Sequence, residues 1–331
     1  MAVLRKNGGK FGIERLIPVP NWPFGMVLTH DGKTLIVATD TSVVLLDIGR
    51  MMSGAPDPLD GEFSDGTDSP SYVNVTTDDK TLFVSNEADR SISVVDLARV
   101  RVHPSEKRAI IGKIPVGLAP IALTFSPNGR WLFTTSEGAP PEWGWPKTEK
   151  AEGAPSTQPT ELETPGAVVV VDVARAKIDP AHSVVARVPA GDNPVRMTVS
   201  RDGRTAYVTA RGSNAVLVFD AEKLISDPAN SRLATVTVGS EPVPLALVNE
   251  GTILVVGNSN RLGSNRDAED TLSLLDVRKN STKIRTIGTI PAGAFPREMC
   301  VSQDGQTLFV SNFRSKSLQV IDTRDLPRGM N

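Results

Sequence analysis

One stretch that is written twice decides the fold. Residues 78–97 read DDKTLFVSNEADRSISVVDL, and residues 304–322 read DGQTLFVSNFRSKSLQVID. Each copy places a turn before an apolar strand, a short polar loop after that strand, and then an alternating strand that closes on Asp. A repeat of this kind indicates equivalent structural units within one chain.

Four more copies appear when the chain is aligned on the turn Gly and on the Pro nine residues before it. The six copies are PFGMVLTHDGKTLIVAT from Pro23, PSYVNVTTDDKTLFVSN from Pro70, PIALTFSPNGRWLFTTS from Pro120, PVRMTVSRDGRTAYVTA from Pro194, PVPLALVNEGTILVVGN from Pro242 and PREMCVSQDGQTLFVSN from Pro296. Each is followed by a third strand that ends in Asp, and most by a fourth, such as GKIPVGLAP. Short strands with turn signals, repeating about every 40 to 50 residues, are typical of β-propeller blades.

The sequence therefore predicts an all-β fold, a six-bladed β-propeller of four-stranded antiparallel blades. The last copy lacks a fourth strand, whereas ERLIPVPNWP near the start has the form of one with no blade before it. We expect residues 12–18 to pair with the third strand of the last blade, which would close the ring and leave no open sheet edge.

The continuous repeat predicts a single domain over residues 1–331, although length alone would suggest two. Residues 137–166 form a loop insertion that we expect to lie over one mouth of the ring. Its middle, residues 147–165, is rich in Pro, Glu, Thr and Ala without apolar periodicity, so we expect that part to be mobile.

Composition excludes several classes of protein. The net charge of −2 gives no electrostatic basis for binding nucleic acid or an anionic membrane. No run of 18 apolar residues would span a bilayer. The single Cys300 permits no intramolecular disulfide. MAVLRKNGGK lacks the apolar core of a signal peptide, so we expect a cytoplasmic protein unless a signal has been removed.

Aromatic and basic residues collect on the loops of one predicted face. The chain has four tryptophans, and three of them fall in the loops that enter a first strand or leave a second strand. Aromatic walls with a few convergent arginines are typical of a site for a small organic ligand with a planar anionic group. The alternative is that these aromatics only anchor the insertion to the ring. The candidate ligand-binding residues of these loops are Trp22, Phe24, Glu137, Trp143, Trp145, Arg211, Phe295, Arg297 and Arg314.

Two columns of the alignment are expected to lie around the central channel. The residue two positions after each Pro differs in all six copies. Strand alternation would point these six side chains the same way, so a purely structural position should favour one residue type, and the variation indicates a ligand site. This column contains Tyr72, Arg196 and Glu298, our candidate catalytic residues. Arg196 and Glu298 could instead pair with each other across the channel. The second column contains Asn86, Asn258 and Asn312, which could contact ligand or simply stabilise local turns.

The chemistry that these residues could perform is restricted. The three histidines fall in a turn and in linkers, so we expect no His-based mechanism. Glu298 with the Asn column could hold a hard cation such as calcium, but the spacing is no recognised motif. We therefore expect no cofactor and no metal.

The repeat as a whole resembles the YVTN-repeat propeller family, which includes lactonases of the phosphogluconolactonase type. The resemblance rests on YVTARGSNAVLVFD (residues 207–220), FVSNEADRSISVVD (83–96) and FVSNFRSKSLQVID (309–322), and it covers nearly the whole chain. Many members of that family have seven blades, whereas six copies are counted here. The resemblance implies the fold more strongly than an activity.

Two functions stay open from the sequence. In the first, the lidded mouth is an enzyme pocket for an aromatic or anionic organic substrate, and the reaction is lactone hydrolysis or a ring-forming isomerisation or cyclisation. Glu298 or Tyr72 would then act as acid or base and the arginines would stabilise developing negative charge. In the second, the propeller is a non-catalytic module that binds a metabolite, a peptide or a protein. A small organic molecule is the expected partner, with neither nucleic acid nor membrane.

Overall fold

The predicted fold class is confirmed. The computed structural model describes residues 1–67, 69–103, 107–145, 165–261, 270–278 and 284–327. Within them, six small antiparallel sheets form the blades of a β-propeller. Among the described helices, none has the length and apolar character needed to cross a bilayer. The fold divides into two compact units, which we call the N-terminal unit (Met1–Leu123 with Val173–Ser183) and the C-terminal unit (Thr124–Asp172 with Val184–Asn331).

The N-terminal unit contains the first two blades and a separate hairpin. The hairpin is β1 (Ala2–Asn7) and β2 (Lys10–Leu16); the first blade is β3 (Pro23–Leu28), β4 (Thr34–Thr39), β5 (Val43–Asp47) and β6 (Leu59–Phe63); the second is β7 (Pro70–Val75), β8 (Thr81–Asn86), β9 (Ser91–Asp96) and β10 (Ile110–Pro115); β11 is Leu118–Pro120. Three short helices are α1 (Ile48–Ser53), α2 (Leu97–Val102) and α3 (Val173–Ala176). The two blades pack face to face through a shared apolar core that includes Ile36, Leu45 and Val84.

The C-terminal unit contains the other four blades. They are β12 (Thr124–Phe125), β13 (Trp131–Gly138), β14 (Ala167–Asp172) and β15 (Val184–Pro189); β16 (Pro194–Val199), β17 (Thr205–Ala210), β18 (Ala215–Asp220) and β19 (Arg232–Thr237); β20 (Pro242–Val248), β21 (Ile253–Asn258), β22 (Asp270–Asp276) and β23 (Arg285–Ala292); and β24 (Pro296–Val301), β25 (Thr307–Asn312) and β26 (Ser317–Asp322). A short helix, α4 (Lys223–Ser226), follows β18. The first strands β16, β20 and β24 pack side by side, so their ends are neighbours.

Sequence alignment on the Pro located the first strands. Five of them begin at the aligned residue, namely Pro23, Pro70, Pro194, Pro242 and Pro296. A Pro suits the first residue of a strand because it has no N–H to donate to the ladder. The third copy differs, because its Pro120 ends β11 and the strand resumes at Thr124.

The turn between the first two strands is built from a hydroxyl and a carboxylate or amide two residues later. Thr29 donates to Asp31 Oδ1 at 2.6 Å, and the Asp31 carboxylate also accepts the backbone N–H of Lys33 at 3.0 Å. The same pairing recurs in Thr76–Asp78, Ser126–Asn128, Ser200–Asp202 and Ser302–Asp304. These side chains satisfy backbone groups that the tight turn leaves without ladder partners, which explains the repeated S/T-x-D/N pattern.

The Asp that closes a third strand satisfies the backbone of the next segment in five of the six copies. Asp47 caps α1 by accepting the N–H of Arg50 at 2.6 Å, and Asp96 caps α2 by accepting that of Arg99 at 3.2 Å. Asp accepts in this way because its short carboxylate reaches the unpaired N–H groups of a helical first turn. The repeated Asp is thus explained by local backbone needs rather than by a ligand.

Asp79 stands where the other copies have Gly, and the structure gives the reason. Its backbone is left-handed, with φ of 53°. Its carboxylate accepts the N–H groups of His30 and Asp31, each at 2.9 Å, and lies 2.9 Å from His30 Nδ1. Asp79 therefore joins the turn of the second blade to the turn of the first blade by hydrogen bonds. Burial favours a raised pKa for the Asp79 carboxyl, but the hydrogen bonds from His30 and Asp31 outweigh it and lower the pKa.

The predicted closing strand is wrong. Residues 10–16 pair instead with Ala2–Asn7, and the described part of the last blade has three strands, β24, β25 and β26. The reason is local. Gly8 and Gly9 have φ of 55° and 84°, which is the geometry of a two-residue hairpin turn. The sequence N-G-G between two alternating strands is typical of a hairpin turn. The turn therefore pairs residues 10–16 with the adjacent strand rather than with a strand far away in the chain.

The loop predicted at residues 137–166 lies mostly outside the described residues. The structure describes its first part as far as Trp145 and its last two residues, Pro165 and Gly166. The prediction that residues 147–165 are mobile is therefore untested.

We predict that Asp79→Ala lowers the free energy of unfolding by about 1–3 kcal/mol at neutral pH, because two backbone donors lose a buried carboxylate. The folded pKa of Asp79 lies below its ordinary value of 3.8. Its contribution should therefore be complete above that value and disappear as the pH falls through the lowered folded pKa. Urea unfolding of both proteins at neutral and strongly acidic pH measures this.

Asp79→Gly is the matched control, because Gly adopts positive φ without strain. It should be less destabilised than the Ala variant while losing the same hydrogen bonds. Equal stability of wild type and Asp79→Ala at neutral pH would contradict the proposed tie between the turns.

Candidate functional site

An arginine–glutamate pair joins two first strands of the C-terminal unit. Arg196 lies on β16 and Glu298 on β24, and the Arg196 guanidinium donates from Nη2 to Glu298 Oε1. The Arg196 side chain is 12% exposed and that of Glu298 is 42% exposed. A buried guanidinium thus holds a carboxylate that solvent can reach, and the structure brings together two of the three candidate catalytic residues.

Further positive charge lies near this pair. Burial lowers the pKa of Arg196 despite the opposing effect of Glu298, and the nearby charges of Arg297 and Arg211 lower it further. Three arginines therefore share one electrostatic environment. Such a cluster favours an anionic ligand.

A second ion pair belongs to the same group. Arg211 follows β17 and donates from Nη2 to Glu137 Oε2 at 3.1 Å, and Glu137 lies near the end of β13. Both side chains are largely buried, at 16% and 14% exposed. The structure thus brings together these two predicted residues, one from each of two neighbouring blades.

Aromatic and arginine side chains stack beside β24. Phe295 and Phe313 contact edge to face with ring centroids 5.7 Å apart. The Arg297 guanidinium lies 5.7 Å from the Phe295 centroid and 5.5 Å from that of Phe313, and Arg314 lies 5.2 Å from Phe295. Cations over aromatic faces are stabilised by the ring quadrupole. Three predicted residues, Phe295, Arg297 and Arg314, therefore form one cluster with Phe313.

The backbone of Phe295 is held in an uncommon conformation. Its φ is 59°, which is rare for an aromatic residue. Its N–H donates to Asp270 Oδ2 at 2.7 Å, and burial raises the pKa of the Asp270 carboxyl. Asp270 thus fixes the position of the Phe295 ring. Sequence reasoning missed Asp270, because it begins a third strand and carries no repeat signal.

The asparagine column lies inside the blades. Asn258 donates to Thr271 Oγ1 at 2.8 Å and Ser273 Oγ at 2.9 Å, and Asn312 donates to Ser317 Oγ at 3.3 Å. In the N-terminal unit, Asn86 donates to Asp65 Oδ2 at 3.1 Å. These bonds support the alternative that the amides stabilise local structure. Their predicted contact with ligand is untested.

The two loop tryptophans lie at the outer edge of their blade. Trp143 and Trp145 are 5.2 Å apart, and Arg187 of β15 lies 5.0 Å from the Trp143 ring. β15 is the outermost strand of its sheet, and Trp145 shares a groove with Arg187 and Arg232. The structure does not bring this pair together with Arg196 and Glu298, which lie on first strands. Their role in ligand binding stays a prediction.

The other predicted residues belong to the N-terminal unit. Trp22 and Phe24 are 74% and 41% exposed. Tyr72 lies on β7, and its backbone N–H donates to Ser85 Oγ at 3.1 Å. A Cβ added to Gly25 would be 2.5 Å from Tyr72 Cδ1, so the ring packs directly on that glycine. The acid or base role of Tyr72 stays a prediction.

The described residues contain no group of three or more His, Cys, Asp or Glu side chains that could hold a metal ion. His30 and His182 contact Asp79 and Asp179, in a turn and in a linker respectively. The C-terminal unit offers a half-exposed carboxylate beside several guanidinium groups. This arrangement can bind an anion, stabilise an oxyanion and accept a proton.

Comparison with known families confirms the resemblance to lactonase-type propellers. A family model described as "Lactonase, 7-bladed beta-propeller" matches residues 168–326, and one described as "Choice-of-anchor I domain" matches residues 62–226. No curated protein matches the chain.

Solved structures share the fold at low sequence identity. The periplasmic gluconolactonase of Pseudomonas aeruginosa is 20% identical with a TM-score of 0.67, over 97% of this chain and 87% of that one. A proposed 6-phosphogluconolactonase from Bacteroides uniformis is 17% identical with a TM-score of 0.68, over 95% and 84%. The hydrazine synthase of Kuenenia stuttgartiensis is 18% identical with a TM-score of 0.64, over 91% and 83%. At these identities the likeness establishes the fold alone.

We predict that Gly25→Ala lowers the free energy of unfolding by about 1–3 kcal/mol, because the added methyl group forces the Tyr72 ring and the strand backbone apart. Gly12→Ala is the matched control, since a Cβ there meets nothing within 4 Å. Chemical denaturation of the two variants compares them. Equal stability would show that Tyr72 does not depend on Gly25 for its position.

Proposed function

We propose that this protein is a lactonase-type hydrolase that opens the ring of a lactone carrying an anionic group. The observation that carries the proposal is the Arg196–Glu298 pair on two neighbouring first strands, with Arg211 and Arg297 close by. The match to the lactonase family model covers residues 168–326, the range in which these four residues lie, and it supports the reaction class.

Glu298 is the proposed general base. Its side chain is 42% exposed, so a water molecule can approach the carboxylate, while the buried Arg196 fixes its orientation. Glu298 accepts a proton from the water as the water oxygen bonds to the lactone carbonyl carbon. The carbon–oxygen bond of the ring then breaks, and the ring oxygen takes up a proton to give the hydroxy acid.

The neighbouring arginines are proposed to stabilise the negative charge that develops during the reaction. As water adds, the carbonyl oxygen gains negative charge, which a guanidinium within hydrogen-bond distance stabilises more than it stabilises the neutral carbonyl. Arg297, stacked on two phenylalanine rings, is held ready to bind a carboxylate or phosphate on the substrate. The reverse direction, ring formation from a hydroxy acid, uses the same groups.

The test is a pH-stat assay with glucono-1,5-lactone, 6-phosphoglucono-lactone and an uncharged aliphatic lactone. We expect hydrolysis, with the phosphorylated lactone preferred. Glu298→Gln should lower kcat by about 10²–10⁴-fold, because the amide cannot accept the proton. Arg297→Gln should raise KM for the anionic lactone more than for the uncharged one.

Arg324→Gln is the matched control, because Arg324 is an exposed arginine paired with Asp322. It should hydrolyse the three lactones like wild type. Circular dichroism checks that each variant is folded. Hydrolysis by folded Glu298→Gln at the wild-type rate would refute the base role, and no turnover of any lactone by wild type would refute the reaction class.

A non-catalytic binding module is the second candidate. It is favoured by exposed aromatic side chains, since Phe313 is 57% exposed and Trp22 is 74% exposed. Saturable binding of the anionic lactone or its hydroxy acid without turnover, weakened in Arg297→Gln, would support this candidate over the hydrolase.

A further inference from the structure

A groove lies at the outer edge of two neighbouring blades in the C-terminal unit. Its volume of about 470 Å³ falls within the range of about 300–1,000 Å³ that is typical of sites for small organic molecules. β15 and β19, the outermost strands of the two sheets, both contribute to it. The lining residues are Trp145, Arg187, Val188, Pro189, Phe219, Pro228, Ala229, Ser231 and Arg232.

Arg232 is fixed across the boundary between these two blades. From the start of β19, its Nη2 donates to the Pro189 carbonyl of β15 at 3.2 Å. Its guanidinium also lies 6.0 Å from the ring centroid of Phe219, which is fully buried beneath it. A guanidinium has five N–H donors, so the bond to Pro189 leaves others for a ligand.

Arg187 is placed beside the groove by stacking alone. Its guanidinium lies 5.0 Å from the Trp143 ring centroid, and Trp143 contacts Trp145 edge to face at 5.2 Å. Within the described part of the chain, the Arg187 side chain forms no hydrogen bond and no ion pair. Stacking uses the flat face of a guanidinium and leaves its N–H donors free to bind an acceptor.

The absence of a carboxylate at this groove differs from the environment of exposed arginines elsewhere. Arg50 and Arg278, for example, pair with carboxylates at 2.5 Å and 2.7 Å. Among the described residues, neither arginine of the groove has such a pair. Asp227 precedes Pro228, but its carboxylate accepts from Asn230 Nδ2 at 3.0 Å and 3.1 Å. Two guanidinium groups thus line one groove without a negative charge between them, which favours an anionic ligand.

The apolar lining determines the other half of the ligand. Trp145 and Pro228 are partly exposed and Pro189 is exposed, so all three present ring surfaces to the groove. Flat aromatic groups pack well against such surfaces, and indole in particular stacks on other rings. The groove therefore combines donors for an anion with a surface for a planar ring.

We propose that this groove binds a small aromatic carboxylate, whose carboxylate group is held by Arg187 and Arg232 and whose ring packs against Trp145 and Pro228. The groove is separate from the Arg196–Glu298 pair, because those two residues lie on first strands and the groove lies on outermost strands. The proposal is therefore independent of the hydrolase activity proposed above.

The test uses isothermal titration calorimetry of the full chain with 1-naphthoate, 1-naphthamide and cyclohexanecarboxylate. We expect saturable binding of 1-naphthoate. The amide should bind about tenfold more weakly or worse, because it offers no charge to the guanidinium groups. Cyclohexanecarboxylate should bind about threefold more weakly or worse, because its ring cannot stack on indole. In NMR spectra, 1-naphthoate should shift the side-chain Nε–H signals of Arg187 and Arg232.

Two variants separate the contributions of charge and ring. Arg187→Gln should weaken 1-naphthoate about tenfold and leave 1-naphthamide unchanged, and it removes no side-chain hydrogen bond of the described structure. Trp145→Ala should weaken both ligands. Arg130→Gln is the matched control, because Arg130 also lies over a tryptophan ring, that of Trp131 at 4.5 Å, but does not line the groove. It should bind 1-naphthoate like wild type.

Arg297→Gln distinguishes the groove from the Arg196–Glu298 site, and it should leave the affinity for 1-naphthoate unchanged. Arg187→Gln should in turn hydrolyse lactones like wild type, so failure of either proposal leaves the other intact. Four results would overturn the groove proposal: no saturable binding of 1-naphthoate, equal affinity for 1-naphthoate and 1-naphthamide, wild-type affinity in folded Arg187→Gln, or an equal loss of affinity in Arg130→Gln or Arg297→Gln.

Discussion

The blades of this protein depend on burial of both faces of their sheets, and five of the six third strands, β26 being the exception, have buried residues on both faces. The third strands show the constraint most clearly, since Val43, Val44, Leu45 and Leu46 of β5 are all buried although their side chains alternate between faces. A single sheet of this composition would expose one apolar face to water, at a cost of about 25 cal/mol per Å². The sheets are therefore stable only when they pack against one another. This packing sets the distances between the side chains on their loops and strand ends.

Stacking also explains where polar groups converge. In the C-terminal unit, the first strands β16, β20 and β24 lie side by side, so that Arg196 and Glu298, 102 residues apart in the chain, form an ion pair. A buried guanidinium requires such a partner, because an unpaired charge in that position would be strongly destabilised. The same convergence places Arg211 beside Glu137. The candidate site is a consequence of packing polar residues at the ends of strands whose middles are apolar.

In the first blade this constraint is only partly met. The face of β4 and β5 is covered by the β1–β2 hairpin, and the same face of β3 is exposed. Met26 and Leu28 of β3 therefore stay about half exposed, although Val37 beside them on β4 is fully buried.

The sequence by itself determined the six blades, because turn chemistry and strand alternation are local and act within a few residues. The Pro that begins most first strands, the hydroxyl–carboxylate turns and the Asp that ends each third strand can all be identified without coordinates. Sequence also selected Arg196, Glu298, Arg211 and Glu137 as candidates, but not which residues pair. Pairing, the outward position of Trp143 and Trp145, and the role of Asp270 were decided only by tertiary structure, since they depend on contacts between strands far apart in the chain. The hairpin at residues 2–16 was also misassigned, because two strand partners were compatible with one alternating pattern and the Gly8–Gly9 turn favoured the nearer.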